Sequence, residues 1–104
     1  MQPINLDAEI EFSDERPRIK MLYDSSNFRA VLFCLEKDQG VPRHTSPAEV
    51  MMQVYNGSGT VIVGDKELPM RAGDVVVSRP NETHGFRSED ERMVVLALII
   101  PSPT

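Results

Sequence analysis

The fold is decided by two stretches, GVPRHTSPAEVMMQVYNG at residues 40–57 and, one hairpin later, GDVVVSRPNETHGF at residues 73–86. In the first, Val50, Met52 and Val54 alternate with Met51, Gln53 and Tyr55, the period-2 pattern of a strand with one face turned inward. In the second, a Gly-Asp pair introduces the β-branched run Val75-Val76-Val77. Working outward, the chain from residue 18 onward reads as short extended segments with no competing helical period. The segments are 19–23, 28–36, 41–45, 50–55, 60–63, 67–71, 75–78, 83–86 and 93–100. Asn56-Gly57, Gly64-Asp65 and Ala72-Gly73-Asp74 each read as a reversal of direction, because each supplies left-handed dihedrals. Reversals roughly 8 to 12 residues apart belong to sandwiches and barrels.

The last segment, MVVLALII at residues 93–100, is apolar at every position rather than at alternate ones, so both of its faces should be covered. One cover is the barrel interior. For the other, two candidates stand: a second subunit, or the N-terminal segment 4–12 folded back over the sheet. A homodimer is expected on the first of these, with Tyr55 available for the contact. The organisation expected is an N-terminal arm at 1–16, a barrel at 17–100 and a tail at 101–104.

At 104 residues, one core is expected, with roughly 65% of the unfolded surface buried. A charged fraction of 26% against 40% hydrophobic residues is globular usage rather than disorder. The net charge of −5 repels phosphate backbones and anionic lipid, which argues against nucleic-acid and membrane partners. Cys34, the single cysteine, excludes an intrachain disulfide and a multi-cysteine zinc site. No basic-then-apolar leader is visible and no run approaches roughly 20 apolar residues, so a cytoplasmic location is expected.

Residues 40–57 and 73–86 together resemble the two motifs of the cupin superfamily. The first motif there has a His-x-His pair, a Glu a few residues on, then six residues and a glycine. The second has a Gly-Asp turn, a strand, a proline and a final His. The resemblance implies an all-β, cupin-type jelly-roll β-barrel, usually holding one divalent metal (Fe, Mn, Ni, Zn or Cu) between imidazoles and a carboxylate. Alternation explains the chemistry: side chains at i and i+2 share a face, so His-x-His aims two rings into the barrel.

This chain departs from the pattern. With His44 as first ligand, Ser46 stands at the second histidine position and Val50 at the glutamate position, while His84 is kept. Two imidazoles fall short of the three protein ligands of a catalytic zinc site. In a rival register His44 is the second histidine, Pro42 replaces the first, and Glu49 completes a His44, Glu49, His84 triad of the facial type used by non-haem iron. That register places Glu49 one residue from the alternation that turns Val50 inward, and a shift of one flips a side chain to the other face unless a bulge intervenes.

The site residues expected are therefore His44, Ser46, Val50, Met52, His84 and Phe86 at the mouth of the barrel, with His44, His84 and Glu49 as the metal candidates. Two functions lead, ahead of a purely structural dimeric module, which would make family-position histidines a costly filling for a barrel. One is a small-molecule binder that takes a small polar metabolite without a complete metal site. The other is a divalent-metal enzyme of oxygenase or isomerase type, with Glu49 or water completing the shell. Met51, Met52, Met70 and Met93 read as adaptable core filling rather than a copper site, and Cys34 as an inert core thiol.

Overall fold

Among the described residues, 1–103 of a computed structural model, the elements in chain order are α1 (Leu6–Glu9), β1 (Arg18–Asp24), β2 (Arg29–Leu35), β3 (Gly40–His44), β4 (Glu49–Val63), β5 (Lys66–Arg71), β6 (Val75–Ser78) and β7 (His84–Ile100). The pairings are antiparallel throughout. β1, β2, β7, β4 and β5 follow side by side, with β3 on β7 and β6 on β4. Thr104, the end of the expected tail, lies outside the described residues. Among the described residues, no helix is long and apolar enough to cross a membrane.

Nine expected segments become seven strands, because two pairs of them are continuous. Segments 50–55 and 60–63 are the two halves of β4, and 83–86 and 93–100 the two ends of β7. These long strands pair with each other from Glu49↔Ile100 to Val63↔His84, with irregularities between Val54 and Asn56 and between Gly57 and Gly59. Asn56-Gly57 is thus a bulge, not the reversal expected. The positive φ of Gly57, 75°, bends the strand while it stays paired, folding one sheet back on itself as a barrel. The reversals at 64–65 and 72–74 are present as turns. The second of these docks on the bulge, with Ala72 N–H donating to Gly57 O and Gly73 N–H to Val54 O.

Alternation from the bend outward sorts the side chains. Val50, Met52 and Val54 on β4 share the inner face with Val95, Ala97 and Ile99 on β7 and with Phe33 on β2. The inner cluster also holds Leu35, Val61, Met70, Phe86 and Met93, all buried. Burying each such large side chain contributes about 1.5–3 kcal/mol.

The outer face of the same sheet is covered by the chain's own arm. Leu6, Ile10 and Phe12 pack on Leu32, Cys34 and Val94. Tyr55 donates its hydroxyl to Asp7 at 2.7 Å, Arg92 lies 4.3 Å over the Phe12 ring, and Lys20 pairs with Glu11. This resolves part of the alternative left open by the sequence. Tyr55 and the end of residues 93–100 nearest the bend meet the N-terminal arm. Cys34 is fully buried there, and burial pushes its thiol up, away from the reactive thiolate. The next row outward, Tyr23, Ala30, Leu98, Met51 and Val77, runs apolar across five strands and lies beyond the arm. Tyr23 and Val77 at its ends are exposed.

Candidate functional site

β3 ends at His44 and β7 begins at His84, and the two are paired residues, so their side chains rise from adjacent strands on one face. The imidazoles meet edge to face with centroids 4.2 Å apart. His44 is exposed, whereas His84 keeps only 4% of its surface.

Both rings are anchored the same way. His44 Nδ1 lies 2.9 Å from Pro42 O, and His84 Nδ1 lies 3.1 Å from Glu82 O. A carbonyl oxygen only accepts, so each Nδ1 carries a proton, and a ring holding that one proton keeps its lone pair on Nε2. Ser78 Oγ, fully buried, donates to the same Glu82 carbonyl and sits 3.3 Å from His84 Nδ1. Burial is the main influence on the His84 ring and holds its pKa below 6.5. The Glu82 carbonyl pulls the other way, and the neighbouring His44 adds to the lowering. His84 is therefore a neutral acceptor near pH 7.

The rings border a cavity of about 220 Å³ whose other walls are Ser46, Val50, Phe33, Ala97, Ile99 and Pro103. Of the residues expected, the structure brings His44, Ser46, Val50 and His84 together here. Met52 and Phe86 are not in its lining. They point to the same interior but sit one step deeper in the packed core, where Phe86 meets the lining residue Phe33 edge-on at 5.1 Å. Glu49 does not join them. It is exposed and paired with Ile100 on the outer face, because β4 is regular from Glu49 to Val54 and alternation that buries Val50 must turn Glu49 out. The rival register needed a bulge, and the bulges lie further on, at residues 54–59.

Phe33, Ala97, Ile99 and Pro103 were not singled out in the sequence. Ala97 and Ile99 come from the run apolar on both faces, where alternation carries no signal, and Phe33 from a strand with the same defect. Ser78, which backs His84, could have been found by its place as the last residue of the valine run that pairs with β4. A second, broader depression, about 420 Å³, lies at the opposite end of the barrel beside Arg71, Asp74 and residues 89–91. Its carboxylates are exposed and it holds no histidine, so it has neither the enclosure nor the oriented acceptors of the histidine pocket.

The fit to a metal can be tested on the donor set. Two imidazoles with free Nε2 atoms and anchored Nδ1–H groups have the orientation metal ligands adopt. Yet among the described residues no three His, Cys, Asp or Glu side chains converge closely enough to hold a metal ion. Val50 fills the carboxylate position, and Ser46 Oγ already accepts from Ala48 N–H. The residues present do not make a three-ligand metal centre.

A bent antiparallel barrel of this pairing is the double-stranded β-helix fold. The Cupin domain family matches residues 31–100, and the chain belongs to that family. Among solved structures, an RmlC-like cupin protein from Desulfovibrio desulfuricans is similar at 30% identity, covering 99% of this chain and 99% of that one with a TM-score of 0.89. The TT1209 protein of Thermus thermophilus shares 20% identity over 99% of this chain and 100% of its own, with a TM-score of 0.94. A predicted oxalate decarboxylase from Thermotoga maritima shares 20% over 80% of this chain and 78% of its own, TM-score 0.75. The last two likenesses show the fold alone. No curated protein matches the chain.

Proposed function

We propose that this cupin binds a compact small molecule in the histidine pocket, one with an apolar body and a single hydroxyl or N–H donor directed at the His44–His84 pair. One observation carries the reading: both Nδ1–H groups are tied to backbone carbonyls, leaving two bare Nε2 acceptors beside walls of Phe33, Val50, Ala97 and Ile99. The apolar walls narrow the polar metabolite expected from the sequence to a molecule polar at one end only. A cavity of 220 Å³ equals the liquid volume of about seven waters, which suits a phenol-sized guest.

The test is a titration with phenol and with toluene, followed in NMR by the methyl signals of Val50 and Ile99, which line the cavity and remain in every variant. Phenol should bind the wild type about tenfold more tightly than toluene, the worth of one hydrogen bond, and His84→Ala should erase that difference. Equal binding of the two probes by the wild type would overturn the reading. The alternative, a divalent-metal enzyme of oxygenase or isomerase type, is favoured by the carbonyl-anchored rings alone. Near-stoichiometric iron, manganese, nickel, zinc or copper in untagged protein, lost in His44→Ala and His84→Ala, would establish it instead.

We also propose that a second copy covers the apolar row from Tyr23 to Val77, whose two ends are exposed and which neighbours exposed Ile100 and Val75. Tyr23, Val75, Val77 and Ile100 are exposed beside the half-buried Met51 and Leu98, and apolar side chains exposed together mark a surface that is covered in an assembly. Light scattering should give about twice the 11.7 kDa chain mass, and Val77→Lys should restore the single mass. A wild type of single mass would end this proposal.

A further inference from the structure

Beyond Ile100 the chain does not continue the ladder. Pro101 and Pro103 lack the N–H a strand needs, and residues 101–103 leave the sheet as a strap beside the histidine pocket. Pro103 is one wall of the 220 Å³ cavity. On the strap's other side, Pro101, Ser102 and Pro103 with Ser46, Pro47 and Ala48 line a separate cavity of about 470 Å³. Ser46 and Pro103 belong to both, so the strap is the partition between two chambers.

The partition is held at one place. Ser102 is buried and donates its hydroxyl to Asp24 Oδ1 at 2.6 Å. Arg29 donates to Pro103 O at 3.2 Å and grips both Asp24 oxygens at 3.3 and 3.2 Å. Asp24 closes β1 and Arg29 opens β2, so the clamp sits on a tight hairpin, with Ser25 N–H bonded to Phe28 O. Among the described residues these are the strap's only polar attachments. Its two proline rings are exposed, so little apolar burial backs the clamp.

We propose that the strap at residues 101–103 is the specificity-determining wall of the histidine pocket: clamped by Asp24 and Arg29 through Ser102, it excludes ligands larger than a single ring, and its release merges the two chambers. The proposal rests on the ligand-binding reading for its consequence, though not for its geometry. Size selection follows directly. With the strap in place the cavity ends at Pro103; without it the space beside His84 opens past Ser46 toward Pro47 and Ala48.

Two measurements separate the strap from the ligand reading. Diethyl pyrocarbonate acylates a bare imidazole nitrogen, so the rate at His84, read by peptide mass spectrometry, reports access to its Nε2 with no ligand present. In the chain ending at Ile100 and in Asp24→Ala, which removes the acceptor of both Ser102 and Arg29, that rate should rise at least about tenfold, as local release of an ordered wall predicts. In parallel, phenol should bind both the wild type and the shortened chain, and 4-phenylphenol only the shortened one. An unchanged His84 rate in a chain that still melts cooperatively overturns the strap proposal, as does 4-phenylphenol binding equally to both chains. A raised His84 rate with no phenol bound to either chain keeps the strap as a wall and removes the ligand reading. If the shortened chain does not fold, Ser102→Ala carries the same test, because it deletes only the hydroxyl of the clamp.

Discussion

Gly57→Ala should lower the thermal midpoint by roughly 15 °C or more, whereas Gly73→Ala should cost only several degrees. Both glycines have positive φ, 75° and 99°, so both variants carry the conformational penalty of an L side chain in that region, about 1–2 kcal/mol. They differ in what a Cβ would meet. At Gly73 nothing lies within 4 Å, while at Gly57 it would sit 1.9 Å from Arg92 O and 2.9 Å from Arg92 C. Those atoms are backbone of β7, which is paired with β2, β3 and β4, so no side-chain rotation relieves the overlap. β7 would have to move away from the bend, opening the ladder beside buried Met93 and Val94. A cost of about 4 kcal/mol or more puts the change among the severe single substitutions and takes a large share of the 5–15 kcal/mol that holds a domain folded. Circular dichroism melts of the two variants read the contrast. Midpoints within a few degrees of each other would mean that the bulge does not seat β4 on Arg92, and the account of how the barrel bends would fall with it.

The same glycine shows why the barrel was legible and its strand count was not. Asn56-Gly57 has the composition of a tight turn because a turn and a bulge make the same demand, a residue at positive φ. Only the partner strand distinguishes them, and Met93 opposite Gly57 is 36 residues away. Residues 87–92, Arg-Ser-Glu-Asp-Glu-Arg, hid the continuity of β7 in a similar way, since a strand at a bend with exposed side chains is as polar as a loop. The histidine pair, Ser46 and Val50 were legible because motif spacing plus alternation fixes which side chains share a face. The same alternation set Glu49 outward once β4 proved regular there. Met52 and Phe86 also obey it, but a position two residues along lies about 7 Å deeper, inside the packed core rather than at the mouth. Phe33, Ala97 and Ile99 sit in strands apolar on both faces, where the pattern is silent. The arm is the complement of that silence: residues 93–100 read as doubly covered, and Leu6, Ile10 and Phe12 supply the cover over Val94 and Leu96.

Between pH 7.5 and 5.5 the folded protein should lose stability, and His84→Gln should flatten much of that slope. Burial holds the His84 pKa in the fold below its ordinary 6.5, with the Glu82 carbonyl and carboxylate opposing the shift and the facing His44 ring reinforcing it. Ser78, the other polar group against the ring, is uncharged. As pH falls through 6.5 the unfolded chain binds a proton that the folded chain refuses, so the unfolded state is favoured. The stabilisation from a neutral His84 is complete above 6.5 and is lost as pH drops toward the depressed folded value. One proton of difference sets the steepest slope at about 1.4 kcal/mol per pH unit. The carboxylates lowered by their partners, Glu11, Asp24, Glu36 and Glu67, start from ordinary values of 3.8 to 4.5, so their loss falls at more acid pH and does not mask the histidine window. Urea midpoints at half-unit steps of pH measure the slope, and the His84 Hε1 resonance gives its midpoint directly. A midpoint at or above 6.5 would contradict the burial argument. Protonation also takes away the Nε2 lone pair offered to a ligand hydroxyl, so phenol binding should weaken in the same window. Toluene, which uses only the apolar walls, should not lose affinity there.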